Sequence, residues 1–140
     1  MRKLDCVLIV EDDPVSSFIA ENAISGLGIA ETVITSSNGR KALEYIMHEC
    51  SLEGDTYLCP DLIVLDINMP HMGGIAFLEK FRKMPTNKKP VIVIHHTVEP
   101  TEEQEKKLKE LDIKDFIMKP MTGAKLQAVF DKYFGKIVEM

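Results

Sequence analysis

Short apolar runs alternate with amphipathic stretches along this chain, and the alternation predicts five strands and five helices. The runs at residues 6–10, 33–35, 62–65, 91–94 and 116–118 are brief and mostly rich in β-branched side chains, as parallel strands covered on both faces are. Between them, apolar residues recur at helical spacing. Phe18, Ile19, Ala23, Ile24 and Leu27 make the inner stripe of a first helix, and Ala42, Leu43, Ile46 and Met47 that of a second. Phe77, Leu78 and Phe81 anchor a third, while Leu126, Val129, Phe130 and Phe134 anchor the last.

Local signals bound these elements. Asp13-Pro14 starts the first helix, because Asp caps free amides and Pro fits the first helical position. Asn38 and Thr122 cap two more, and Thr101 with Gln104 has capping-box spacing. Gly26 and Gly28 close the first helix, Gly135 the last, and the third ends before Pro85. The helix after Thr101, through Leu111, is largely charged and predicted to be thinly attached. Residues 51–60, with Gly54 and Pro60, form a polar loop longer than the usual connection. Without repeats or linkers, the pattern predicts one α/β domain over residues 1–140, a doubly wound five-stranded parallel sheet with helices on both faces. Little chain remains after the last helix, so no output domain is expected.

Three of the runs end in charge. Val10 leads into Glu11-Asp12-Asp13, Leu65 into Asp66, and Met118 into Lys119-Pro120. In an open parallel sheet the carboxyl ends of the strands line the ligand crevice, so acids and one lysine gather at a single edge. Such like charges are costly together unless a cation joins them. A carboxylate accepts a phosphoryl group when a divalent cation offsets the charge built up in transfer. Mg²⁺ takes one or two carboxylates, a carbonyl and waters, a shell that Glu11, Asp12, Asp66 and the Asn68 carbonyl offer. Lys119 would pair with the acceptor before transfer and with phosphoryl oxygens after it. Asp13 is expected to be a cap and no ligand.

With 140 residues, 45% of them hydrophobic, the chain can bury a full core. A net charge of −5 and dispersed lysines argue against a nucleic-acid surface. Cys6, Cys50 and Cys59 are odd in number and lack C-x-x-C spacing, which predicts free thiols in a reducing compartment, with no disulfide and no zinc site. No run is long enough to span a bilayer, and a cytoplasmic location is expected.

The V-E-D-D run after the first strand, Asp66-Ile67-Asn68-Met69-Pro70 and Lys119-Pro120 together resemble the response regulator receiver domains (CheY-like) of two-component signalling. The resemblance spans residues 4–134 and implies strand order 2-1-3-4-5. It implies Asp66 as phosphoacceptor, Glu11 and Asp12 as the acidic pair, Asn68 as carbonyl donor to Mg²⁺, and Lys119 as the phosphate-contacting lysine, with a cis Lys119-Pro120 bond. Phe116 matches the aromatic that reorients on activation. It further implies phosphorylation by a histidine kinase or histidine phosphotransfer protein, and signalling through helix 4, strand 5 and helix 5. Where such domains place Thr or Ser after the fourth strand, this chain has His95, then His96 and Thr97. A continuing strand points His95 and Thr97 one way and His96 the other; a bulge would put Thr97 in the hydroxyl's place.

Plainer roles stand beside these. Asp66 alone reads equally well as a turn cap, Lys119 alone as a solvated lysine, and Phe116 alone as core. His95 and His96 face opposite ways and make a poor metal pair; His48 and His71 read as surface, and Met69, Met72, Met118 and Met121 as filler. The leading expectation is a switch rather than an enzyme. One alternative is a receiver-like scaffold that binds partners without phosphorylation, because His95 replaces the hydroxyl. A phosphohydrolase would use D-x-D at the nucleophile, whereas residue 68 is Asn, which cannot protonate a leaving group. An FMN site is disfavoured by the acids of the first loop.

Overall fold

The computed structural model describes residues 3–51, 57–69 and 72–135. Strands β1 (Leu4–Val10), β2 (Ala30–Ser36), β3 (Leu62–Leu65), β4 (Val91–His96) and β5 (Phe116–Met118) alternate with helices α1 (Pro14–Leu27), α2 (Gly39–Glu49), α3 (Gly74–Phe81), α4 (Glu102–Glu110) and α5 (Gly123–Phe134). All pairings are parallel, in the order β2-β1-β3-β4-β5. Fold class and strand order agree with expectation.

The period-2 alternation of strands decides which layer each residue enters. Leu8, Val10, Ile63, Leu65, Ile92 and Ile94 face one side, where they meet Ala42 and Ile46 of α2 and Phe77, Leu78 and Phe81 of α3. Val7, Ile9, Leu62, Val64, Val93 and Ile117 face the other, against Ala20 and Ile24 of α1 and Leu126, Val129 and Phe130 of α5. Each fully buried Leu or Ile contributes about 1.5–3 kcal/mol.

The expected caps are present. Asp13 accepts from the Val15 amide, Asn38 from Lys41, Thr122 from Lys125, and Thr101 with Gln104 closes a full capping box. Gly28 adopts the left-handed conformation that ends α1. The charged helix α4 is indeed thinly attached, with Leu108 its one buried residue. Among the described residues no helix is long and apolar enough to cross a membrane.

Three expectations are corrected. Phe18 is 62% exposed and Met47 65%, because each stands at the margin of its helix's apolar stripe and the sheet covers only the centre. Met118, expected as filler, is likewise exposed on β5. Cys50 and Cys59 form a disulfide, leaving only Cys6 as a free, buried thiol. Cys50 caps the end of α2 and Cys59 precedes β3, so the connecting loop returns the chain to its own start, with the Cα atoms 4.9 Å apart. Motif spacing says nothing about such a return, and the compartment inferred from free thiols loses that basis. Gly54 of the loop, Pro70 and His71 lie outside the described residues.

Candidate phosphoacceptor site

Register brings the site together. Val10 pairs with Leu65 and Leu65 with Ile94, so the next row across β1, β3 and β4 is Glu11, Asp66 and His95. The row is held by backbone bonds from the Glu11 amide to Ser36 and from the Asp66 amide to Val10. All three follow strand residues that face α2 and α3, so by alternation their side chains emerge on the α1/α5 side. Asp66 thus stands between an acid and an imidazole.

Glu11, Asp12 and Asp66 each present an oxygen within 4.8 Å of the others. Glu11 and Asp66 are buried and Asp12 is exposed. The set consists of hard oxygen donors gathered at close range, which fits Mg²⁺ and offers nothing to a thiophilic ion. Asn68 follows on the same loop; its amide donates to Asp66 Oδ1 at 3.3 Å, which turns its backbone back over the acceptor. Gly74 permits this fold. Its amide donates to the Ile67 carbonyl at 2.8 Å, and a Cβ there would lie 2.5 Å from the Asp66 carbonyl.

Lys119, on the amino side of a cis Lys119–Pro120 bond as the resemblance implies, completes the cluster. Its amide donates to the His96 carbonyl at 2.7 Å, which fixes the end of β5 against β4. Nζ lies 2.6 Å from Glu11 Oε1 and 3.5 Å from Asp66 Oδ2. Glu11 is therefore the nearer partner of the lysine, a pairing that motif spacing does not reveal. Burial opposes the Lys119 ammonium, but Glu11 and then Asp66 outweigh it and hold the amine above the ordinary lysine range. Burial likewise pushes the Glu11 carboxyl up to about 7, against the pull of Lys119.

His95 is 1% exposed, with Nδ1 3.8 Å from Glu11 Oε1. Burial, reinforced by the Lys119 charge, lowers its pKa to about 4 and keeps the ring neutral. The register of β4 with β5 runs unbroken through His96, and Thr97 lies beyond the strand, exposed. It is the imidazole rather than the Thr97 hydroxyl that is buried beside the acids. His96 faces the other side and meets the Phe116 ring edge-on, centroids 6.2 Å apart. Phe116 is 38% exposed and lines a groove of about 270 Å³ with Glu105, Lys109, Ile113 and Lys114.

A cleft of about 360 Å³ opens from the acids along α1, lined by Glu11, Asp12, Ser17, Phe18, Ser36 and Ser37. Another concavity of about 380 Å³, bordered by Lys3, Asp5, Asp61 and Tyr133, holds none of the cluster and lies by the opposite strand ends. The acids line the cleft along α1 and not the other concavity.

The family model for the response regulator receiver domain matches residues 7–131. Two-component response regulator 24 of Arabidopsis thaliana is 34% identical over 125 residues, covering 89% of this chain and 81% of that protein. A probable chemotaxis protein CheY of Rhizobium etli is 26% identical over 131 residues, 94% of this chain and 93% of that one. The solved structure of Vibrio cholerae chemotaxis protein CheY4 matches in fold with a TM-score of 0.75 at 23% identity, over 94% of this chain and 98% of that one. A two-component response regulator from Cytophaga hutchinsonii reaches 0.78 at 22% identity, over 96% and 100%. The chain belongs to the response regulator receiver domain family.

Proposed function

We propose that this protein is a phosphorylation-driven switch whose acceptor is Asp66. The observation that carries it is the convergence of Lys119 on both Glu11 and Asp66 at the carboxyl ends of three strands. Glu11, Asp12, Asp66 and the Asn68 carbonyl would hold Mg²⁺, which supplies charge neutralisation at the transferred group. A histidine kinase or histidine phosphotransfer protein is the donor. One Asp66 carboxylate oxygen bonds to phosphorus as the phosphorus–nitrogen bond to the donor histidine breaks, and the leaving imidazole takes up a proton. Lys119 then pairs with the phosphoryl oxygens.

The chemistry is stoichiometric, and the protein is no enzyme in the sense of turning over a substrate. Phosphorylation adds about −1.5 to −2 charges and biases a two-state surface. The exposed Phe116 and Met118 of β5, beside α4, support that face as the output. A cytoplasmic location is part of the same proposal. One observation favours a second function, a scaffold that binds partners unphosphorylated: a buried imidazole stands at the position where the family resemblance implies a hydroxyl.

The two separate in one experiment. Wild type and Asp66→Asn are incubated with acetyl phosphate and Mg²⁺, and intact mass is recorded. The switch predicts a single phosphoryl adduct on wild type and none on the variant. No adduct on either under saturating donor would leave the scaffold.

A further inference from the structure

We infer that, once Asp66 carries the phosphoryl group, His95 donates a ring N–H to one of its oxygens, and that His96 passes the change to Phe116. This rests on Asp66 being the phosphoacceptor. His95 is the direct neighbour of Asp66 in the register row, on the side away from Glu11. Its ring is buried, yet neither Nδ1 nor Nε2 has a hydrogen-bond partner among the described residues. Glu11 Oε1 is 3.8 Å from Nδ1, beyond hydrogen-bond reach, and that oxygen lies 2.6 Å from Lys119 Nζ.

Buried polar groups without partners are uncommon, and each calls for a reason. A neutral imidazole carries one N–H donor in either tautomer. A phosphoryl group on Asp66 would bring three charged acceptor oxygens beside this ring, turning an unpaired donor into a charge-assisted bond. The unphosphorylated protein thus holds an unsatisfied group that phosphorylation satisfies. This gives the phosphorylated state a differential contact, which is what a two-state switch requires.

The adjacent residue gives that contact an exit. His96 projects to the opposite face of the same strand and packs edge-on against Phe116, at an interplanar angle of 71°. Drawing His95 toward Asp66 moves the shared backbone, and with it the His96 ring. Phe116 borders the groove with Ile113 and Lys109, so that movement arrives at an exposed surface. A bulky pair does here what a hydroxyl and a mobile loop would otherwise do.

The test uses beryllofluoride with Mg²⁺ on full-length protein carrying ¹⁵N-labelled histidine. On adduct formation one His95 ring nitrogen should shift as it enters a hydrogen bond, together with the Phe116 ring resonances. His95→Ala should weaken beryllofluoride binding by at least about tenfold, and His95→Gln, which keeps a side-chain N–H, should recover most of it. His96→Ala should bind normally but lose the Phe116 shift. An adduct that leaves the His95 ring unmoved, or an unchanged affinity in His95→Ala, overturns the proposal while Asp66 stands as acceptor. No adduct on wild type overturns both.

Discussion

Glu11 and His95 flank Asp66 and respond to pH in opposite senses. The folded state holds a proton on Glu11 from about 4.5 to about 7, where the unfolded chain has released it, so stability falls as pH rises through that window. His95 does the reverse. The unfolded chain binds a proton below about 6.5, the folded ring refuses it until about 4, and stability falls as pH drops through that interval. Between about 4.5 and 6.5 the two slopes oppose each other. Removing His95 should therefore expose the Glu11 slope: in urea unfolding, His95→Gln loses stability as pH is raised across this range, while wild type changes less. Parallel profiles for the two proteins would contradict these protonation states. The convergence of Glu11, Asp12, Asp66 and Lys119 was legible in the sequence because strand ends declare themselves. The unpaired state of His95 was not, since satisfaction of a buried ring depends on neighbours from other strands. Nor was the preference of Lys119 for Glu11, which follows from register and burial together.

At the scale of elements, the apolar stripes placed four of the helices and the capping box placed the charged α4, and the caps at Asn38, Thr101 and Thr122 lie where the sequence put them. The strands β1, β2 and β4 extend beyond their apolar cores, to Leu4, Ser36 and His96, because hydrogen bonding continues past the last apolar residue. Phe18 and Met47 show the limit of a periodicity argument. A stripe gives the direction a helix faces, but its margins are buried only if a neighbour reaches them. The Cys50–Cys59 bond was hidden for a related reason, since pairing depends on where the loop returns. Closing a loop of nine-residue separation restricts the unfolded chain by about 2–3 kcal/mol. Reduction, or the Cys50→Ala/Cys59→Ala pair, should lower the urea midpoint accordingly and steepen the slope somewhat, because the freed unfolded chain exposes more surface. An unchanged midpoint would mean the bond contributes nothing to stability.

At the scale of the whole molecule, the proposed switch places its two tasks at two ends of one sheet edge. Around the acids, the exposed apolar side chains Val15 and Phe18 sit on α1 beside the cleft, at 64% and 62% exposure. A small phosphodonor needs only the acids, the metal and Lys119, whereas a protein donor must also cover surface. Phe18→Ala should then slow phosphotransfer from a cognate histidine phosphotransfer protein by roughly tenfold, the worth of an apolar anchor at an interface, and leave acetyl phosphate labelling unchanged. Equal slowing with both donors would assign Phe18 to the fold instead. At the other end, α4 is held by Leu108 and its caps, the sort of light anchoring that lets a surface rearrange.

The proposed switch turns on the covalent fate of one carboxylate. Borohydride reduction after exposure to a phosphodonor and Mg²⁺, followed by peptide sequencing in a mass spectrometer, reads that fate at single-residue resolution. An aspartyl phosphate at Asp66 is converted to homoserine, and the account predicts this conversion at position 66 only, dependent on Mg²⁺ and abolished in Lys119→Ala or strongly reduced. An intact aspartate at 66 alongside phosphate recovered on another residue would contradict it.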